Sequence, residues 1–223
     1  MERIDELPCG VKIIQNSELF CFGTDAVLLS DFAKIKNGET VVDLCSGNGI
    51  IPFLLITKSK ASHITAIELQ KQSADLAKRS VDLNNLTDKI TVICDDLKNA
   101  KKHFTKTVDV VTCNPPYTEW GGGYVNESDS KTIARHEVHC KLDDIFRAVN
   151  DILKFGGRFY MVHKSERLAE IISVAKSFGL EPKELQFQHG ASDRNSKLMF
   201  ISFLKGGGSQ MTIYPPIIDR KDD

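Results

Sequence analysis

A chain of 223 residues, 41% hydrophobic and 26% charged, is long enough for one α/β domain with a full core and too balanced for a disordered or fibrous protein. A formal charge of −1 excludes the excess of Lys and Arg that usually marks a nucleic-acid binder, so any such contact has to come from a local patch. No apolar run approaches the roughly 18 residues of a membrane span. The charged start Met1-Glu2-Arg3-Ile4-Asp5 is unlike a signal peptide, so a cytoplasmic location without membrane contact is expected.

From Thr40 onward short apolar runs alternate with amphipathic stretches, the pattern of a parallel sheet with covering helices. Strands are predicted at 41–44, 63–67, 90–94 and 108–113, with helices from the turn at 45–49 to about 57 and at 70–84. Residues 118–141 are polar, rich in Gly and Ser, and longer than an ordinary connection. A helix at 142–153, a Gly156-Gly157 turn and a strand at 158–163 follow. The next helix, 165–178, has Ser165 as its expected cap ahead of Leu168, Ile171 and Ile172. Residues 184–188 and 197–204 read as a β-hairpin, and Gly206-Gly207-Gly208-Ser209 as a flexible hinge before a Pro-containing tail. The expected organisation is an N-terminal extension (1–39) contributing to the cofactor site, one α/β domain (40–205) and a tail (206–223).

Six cysteines (Cys9, Cys21, Cys45, Cys94, Cys113, Cys140) occur without a C-x-x-C pair, several of them in apolar runs where a reduced thiol packs as a small hydrophobe. That argues against a disulfide framework and a zinc ribbon. His136 and His139, with Glu137 and Cys140 beside them, have the spacing of one helical face but no fixed partner, so no metal is expected.

The chemistry concentrates in Asn114-Pro115-Pro116-Tyr117, directly after the strand at 108–113. Each proline lacks an N–H and has a fixed φ, so the pair ends the ladder and stiffens the chain. Asn114 then stands at the carboxyl end of a strand, where open α/β sheets bind ligands. The segment suits a planar group with an exocyclic amine. The Asn114 side-chain oxygen and the Pro115 carbonyl accept its protons, and the Tyr117 ring stacks on the plane. The plain alternative is a turn that merely terminates a strand.

Asp43-Leu44-Cys45-Ser46-Gly47-Asn48-Gly49 follows the first strand and opens a helix. Gly47 and Gly49 permit close backbone approach, and the helix start offers free N–H groups. Glu68 ends the second strand, where an acid accepts from two ribose hydroxyls. A dinucleotide fingerprint wants Gly or Ala where Pro52 stands, which disfavours NAD and favours S-adenosylmethionine. Asp95 or Asp96 could accept from its adenine amine, Asp96 being preferred because Leu97 could pack on the ring; either could instead cap the next segment.

For substrate contact, Lys98, Lys101 and Lys102 lie in a run with Lys106 and His103 and no acid, and Lys131, Arg135 and Lys141 form a second patch. Such runs are commonly just solvated faces. Arg135 and His136 read as ordering the long loop or touching substrate, and Trp120 as a lid or an anchor.

With Asp43 through Gly49, Glu68, Asp96 and Asn114 through Tyr117 in this order, the chain resembles the class I, Rossmann-like S-adenosylmethionine-dependent methyltransferases that act on amino groups. More narrowly it resembles the bacterial tRNA1(Val) (adenine-N6)-methyltransferase family. That likeness is carried by Phe20-Cys21-Phe22-Gly23-Thr24-Asp25-Ala26-Val27-Leu28-Leu29, Ala134-Arg135-His136-Glu137 and Gly157-Arg158-Phe159-Tyr160-Met161-Val162-His163. It runs roughly over 20–204, with Tyr214-Pro215-Pro216 also family-like.

The resemblance implies a seven-stranded, mostly parallel sheet with a C-terminal antiparallel hairpin and helices on both faces. It implies S-adenosylmethionine as donor, S-adenosylhomocysteine as product, and tRNA as partner, methylated at an adenine N6 beside the anticodon. It also implies Thr24 and Asp25 near the methionine end of the cofactor. The alternatives are another amino group (an rRNA or DNA base, or a release-factor glutamine) and a non-catalytic cofactor- or RNA-binding module. The release-factor enzymes carry a sizeable helical N-terminal domain, for which the stretch before the first strand is too short. The intact Asp43, Glu68 and Asn114 weigh against a module that lost turnover.

Overall fold

The computed structural model describes residues 1–19, 21–117 and 140–219. Its main sheet contains β3 (Thr40–Leu44), β4 (His63–Glu68), β5 (Ile90–Cys94), β6 (Val108–Cys113), β7 (Leu153–Lys164), β8 (Leu180–His189) and β9 (Ser196–Lys205). Their order is β8-β9-β7-β6-β3-β4-β5. β9 runs antiparallel to β7 and β8, and the other pairs are parallel. These seven strands have the mostly parallel order and the C-terminal antiparallel hairpin that were expected.

Helices α2 (Ile50–Lys58), α3 (Lys71–Leu83), α4 (Leu142–Ile152) and α5 (Leu168–Ser177), with a 3-10 helix at Leu97–His103, connect the strands. The central strands are covered on both faces, so Val41, Val42 and Leu44 are all buried, as are Val110 and Val111. On one face Phe146 meets Phe159 and Phe203 edge-on. Successive strand residues point to opposite faces, so Tyr160 beside Phe159 joins Phe32 and Phe200 on the other. α4 buries Leu142, Ile145, Phe146, Val149 and Ile152, a helical stripe facing the sheet.

The N-terminal extension carries regular structure of its own. β1 (Glu2–Glu6) and β2 (Lys12–Asn16) form a hairpin, and α1 (Thr24–Phe32) follows. The hairpin is tied to α3: Ile14 N donates to Ser80 Oγ at 2.9 Å, and Lys12 N to Asn84 Oδ1 at 2.9 Å.

Two expectations are corrected. Ser165 does not cap a helix: a single 3-10 turn at Ser165–Arg167 precedes α5, and the Ser165 hydroxyl lies 2.6 Å from Ser196 Oγ, joining β9 instead. The glycine-rich stretch at 206–209 is not a free hinge. Lys183 Nζ donates to the carbonyls of Gly208 at 3.0 Å and Gln210 at 2.7 Å. Beyond it β10 (Thr212–Ile213) and β11 (Ile217–Ile218) pair parallel with β8. The outer edge of β8 would otherwise expose unpaired backbone groups, and the tail satisfies them.

Candidate active site

The chain turns from β3 toward β4 and β5 on one side, and from β6 toward β7 on the other. The strand order therefore reverses between β3 and β6, where open α/β sheets form their ligand crevice. Leu44 and Cys113 are register partners across that boundary. The glycine turn and the Asn114–Pro116 segment accordingly leave the sheet side by side. A cleft of about 110 Å³ opens there, walled by Phe22 and Ala26, Gly47 and Asn48, Glu68 and Leu69, Asp95, Asp96 and Leu97, and Asn114 and Pro116.

The turn is conformationally demanding. Cys45, Gly47 and Gly49 have φ of +57°, +56° and +88°. A Cβ on Gly49 would lie 3.2 Å from the Phe53 ring and 3.3 Å from Ala77 Cβ, whereas one on Gly47 would meet nothing within 4 Å. Gly47 faces open space on the cleft side, and Gly49 lets α2 seat against α3. Beneath the turn Cys45, Cys113 and Cys140 meet thiol to thiol, all reduced. The Cys113 contact and burial push the Cys45 thiol up.

Glu68 is buried, and its two oxygens accept from Gly47 N and Gln70 N, both at 2.8 Å. Burial raises its pKa against the pull of these N–H groups. Each oxygen retains a lone pair for a ligand hydroxyl.

Asp43 lies deeper than its place in the motif suggested. Fully buried, it is not on the cleft wall; its Oδ1 accepts from Thr112 Oγ1 at 2.6 Å. Burial raises its pKa to about 7, tempered by the Thr112 and Ser46 hydroxyls, with Glu68 nearby pushing further up. Asp43 Oδ2, Ser46 Oγ and Asn48 Nδ2 are buried without a well-formed hydrogen bond among the described residues.

Both aspartates after β5 reach the wall, and both are engaged. Asp95 accepts from Asn99 Nδ2 at 2.9 Å, His103 Nε2 at 2.7 Å and Asp96 N at 2.7 Å. The Asn99 and His103 contacts pull it down to about 2. Asp96 caps the 3-10 helix through Lys98 N at 2.9 Å, and Lys98 Nζ lies 3.2 Å from its other oxygen. The capping alternative therefore holds for Asp96. Leu69, 42% exposed, and the buried Leu97 supply apolar surface on either side.

Asn114 and Asp25 come together across the chain. Asn114 Nδ2 donates to Asp25 Oδ2 at 3.1 Å, and Tyr117 Oη donates to the same oxygen at 2.6 Å while standing against Asn114 Oδ1. The Tyr117 ring packs edge-on against His163, centroids 5.4 Å apart. Burial, with Asp25 adding, pushes its hydroxyl pKa well up. Tyr117 also borders a second groove, lined by Lys164, Lys197, Gln188 and Ser196, so the Asn-Pro-Pro-Tyr segment separates two spaces.

The remaining sequence-predicted residues are dispersed. Thr24 is exposed at the start of α1. Lys98 is held by Asp96, and Lys102 Nζ donates to Asn99 Oδ1 at 2.7 Å. Lys101 lies near Lys205, whose pKa is lowered by burial and by that neighbour. Lys205 Nζ bonds the Leu153 carbonyl, at the opposite end of the sheet from Asn114. Trp120, Arg135 and His136 lie outside the described residues. Among the described residues no group of three His, Cys, Asp or Glu could hold a metal, and no helix is long and apolar enough to cross a membrane. Sequence reading missed Phe22 and Leu69 on the wall; an apolar residue directly after the ribose-type acid was the available signal for Leu69.

The sequence profile of the methyltransferase small domain family matches residues 14–181. The chain belongs to that family. Among similar proteins, the tRNA1(Val) (adenine(37)-N6)-methyltransferase of Histophilus somni is 29% identical over 179 residues, spanning 80% of this chain and 70% of the relative. The protein of that name from Shewanella halifaxensis is 24% identical over 179 residues, spanning 80% and 68%. In fold, this methyltransferase is similar to a predicted O-methyltransferase from Agrobacterium tumefaciens, with a TM-score of 0.68 at 21% identity over 87% of this chain and 86% of that one. It also resembles Methanocaldococcus jannaschii Trm5 in complex with adenosine, with a TM-score of 0.66 at 16% identity over 93% of this chain and 57% of the other.

Proposed function

We propose that this methyltransferase transfers a methyl group from S-adenosylmethionine to the N6 amine of an adenine in tRNA, beside the anticodon. The observation that carries the reading is Asn114 on the wall of the same cleft as Gly47 and Glu68. The names of the similar proteins supply the tRNA and the adenine.

The cleft fits the donor. Glu68 offers two fixed oxygens to ribose hydroxyls, and the open face of Gly47 admits close approach. Leu69 and Leu97 would offer apolar surface to the donor's adenine ring, and the Asp95 and Asp96 carboxylates on the same wall would be available to its amine. The buried Asn48 Nδ2 at the turn has no hydrogen-bond partner among the described residues and would be available to the donor. S-adenosylmethionine supplies an electrophilic methyl on a sulfonium.

The residues' task is to improve a poor nucleophile and aim it. The adenine N6 lone pair is delocalised into the ring. Hydrogen bonds from its two protons to Asn114 Oδ1 and the Pro115 carbonyl favour a pyramidal nitrogen with the lone pair directed across the cleft. Positioning of this kind supplies about 7–11 kcal/mol when reacting atoms are held near attack distance. A base stacked in a tRNA loop is first turned out, entering through the groove bordered by Tyr117, Lys164 and Lys197. Stacking on the Tyr117 ring returns about 1–3 kcal/mol of that cost.

The test is incubation with labelled cofactor and unmodified tRNA, followed by nucleoside mass analysis. N6-methyladenosine is expected, and Asn114→Ala should abolish it while cofactor affinity persists. Label in another nucleoside, in rRNA or in protein, or none despite cofactor binding, would overturn the reading.

A further inference from the structure

A side-chain amide has two ends of nearly the same shape, an acceptor oxygen and a donor NH2. Against an incoming amine only the oxygen works, so a flipped Asn114 would present donors to donors. Nothing in Asn114's own backbone decides between the two.

Asp25 does. Its Oδ2 lies 3.1 Å from Asn114 Nδ2 and can only accept, so a flip would set oxygen against carboxylate oxygen. The same Oδ2 is 2.6 Å from Tyr117 Oη. That hydroxyl has one proton and two neighbouring acceptors, Asp25 and Asn114 Oδ1. A carboxylate is the stronger acceptor, so the proton goes to Asp25 and the lone pairs of Asn114 Oδ1 remain available.

From these contacts we infer that Asp25 is a positioning residue: it locks the Asn114 amide with its oxygen toward the acceptor amine and draws the Tyr117 proton away from that oxygen. The inference deepens the amine-methylation reading, and its kinetic test rests on that reading. Gly23 completes the device. A Cβ there would lie 2.6 Å from Asp25 Oδ1, so the missing side chain is what leaves the carboxylate room. With φ at −105°, Gly23 has a backbone open to alanine, and the crowded atom is the end of a movable side chain. Gly23→Ala should therefore displace the carboxylate without unfolding the chain.

The experiment measures kcat, KM for tRNA and cofactor affinity for D25L, N114D, the double variant D25N/N114D and G23A, with melting temperatures as the folding check. Leucine at 25 has about the size of aspartate and no acceptor, so D25L should lose about 100-fold in kcat, the scale expected when a reacting group is misplaced, with the loss on kcat and not on cofactor affinity. N114D sets two carboxylates face to face. The double variant restores one amide donor and one carboxylate acceptor with their places exchanged, and should exceed N114D by about 10-fold, the factor carried by one hydrogen bond. G23A should follow D25L with its melting temperature kept. Wild-type kcat in D25L, a loss confined to cofactor affinity, or a double variant no better than N114D would overturn the inference. A second arm needs no substrate: the Asn114 side-chain amide resonances in 15N-labelled protein, assigned by their loss in N114D, should move in D25L. If they move but no tRNA is methylated, the proposed substrate fails and the positioning role stands. If methylation is normal and they stay, the positioning role fails.

Discussion

Asp43→Asn should stabilise this protein at neutral and alkaline pH. The wild-type carboxyl is fully buried and its pKa is raised from 3.8 to about 7, chiefly by burial. Between those two values the folded state holds a proton that the unfolded state has released. Stability therefore falls as pH rises through that window, opposite to the usual effect of a paired carboxylate. At about 1.4 kcal/mol per pH unit, the span from 3.8 to about 7 amounts to about 4 kcal/mol. An asparagine keeps the acceptor for Thr112 and carries no charge, and its NH2 can turn to the Ser46 hydroxyl, which has no well-formed partner of its own. Urea unfolding of both proteins at several pH values gives a difference curve near zero at pH 4 and rising toward about 4 kcal/mol by pH 8. A flat difference curve, or a less stable variant at pH 8, would refute the buried-charge argument.

Glu68→Gln must turn an NH2 toward either Gly47 N or Gln70 N, losing a charge-assisted bond of about 1.5–3 kcal/mol. Calorimetry should show cofactor affinity reduced about 10-fold or more, and unchanged affinity would move the ribose elsewhere. Gly49→Ala, at φ +88° and 3.2 Å from the Phe53 ring, combines about 1–2 kcal/mol of left-handed strain with about 1–3 of crowding. Denaturant unfolding should register both, and a loss below about 1 kcal/mol would show that the turn relaxes. Replacing Lys101 and Lys102 with Ala should change the salt dependence of tRNA binding less than replacing Lys164 and Lys197, which border the Tyr117 groove. The reverse order would place the RNA along the 3-10 helix.

Much of the fold could be read before any coordinates. Apolar runs buried on both faces announce central parallel strands, which is why 108–113 matches the observed limits of β6. The run 90–94 matches β5 as well, although that strand lies at the sheet edge and is only partly buried. The hairpin formed by β1 and β2 escaped, because β1 is mostly exposed and carries no alternation to detect. The tail escaped for a different reason. Ile213 and Ile217 look like isolated apolar residues until β8 presents an edge for their backbones to join.

The chain's own covalent constraints mark the segments that meet at the cleft: positive φ at Gly47 and Gly49, a ladder stopped before Pro115, an acid closing β4. What those side chains do was decided elsewhere. Asp96 was drawn into capping by the helix that begins after it, and Asp43 was sealed beneath the turn against Thr112. Asp25 met Asn114 across 89 residues of chain. Backbone conformation answers to neighbours in sequence. Hydrogen-bond partners, burial and therefore charge state answer to whatever the rest of the fold packs alongside.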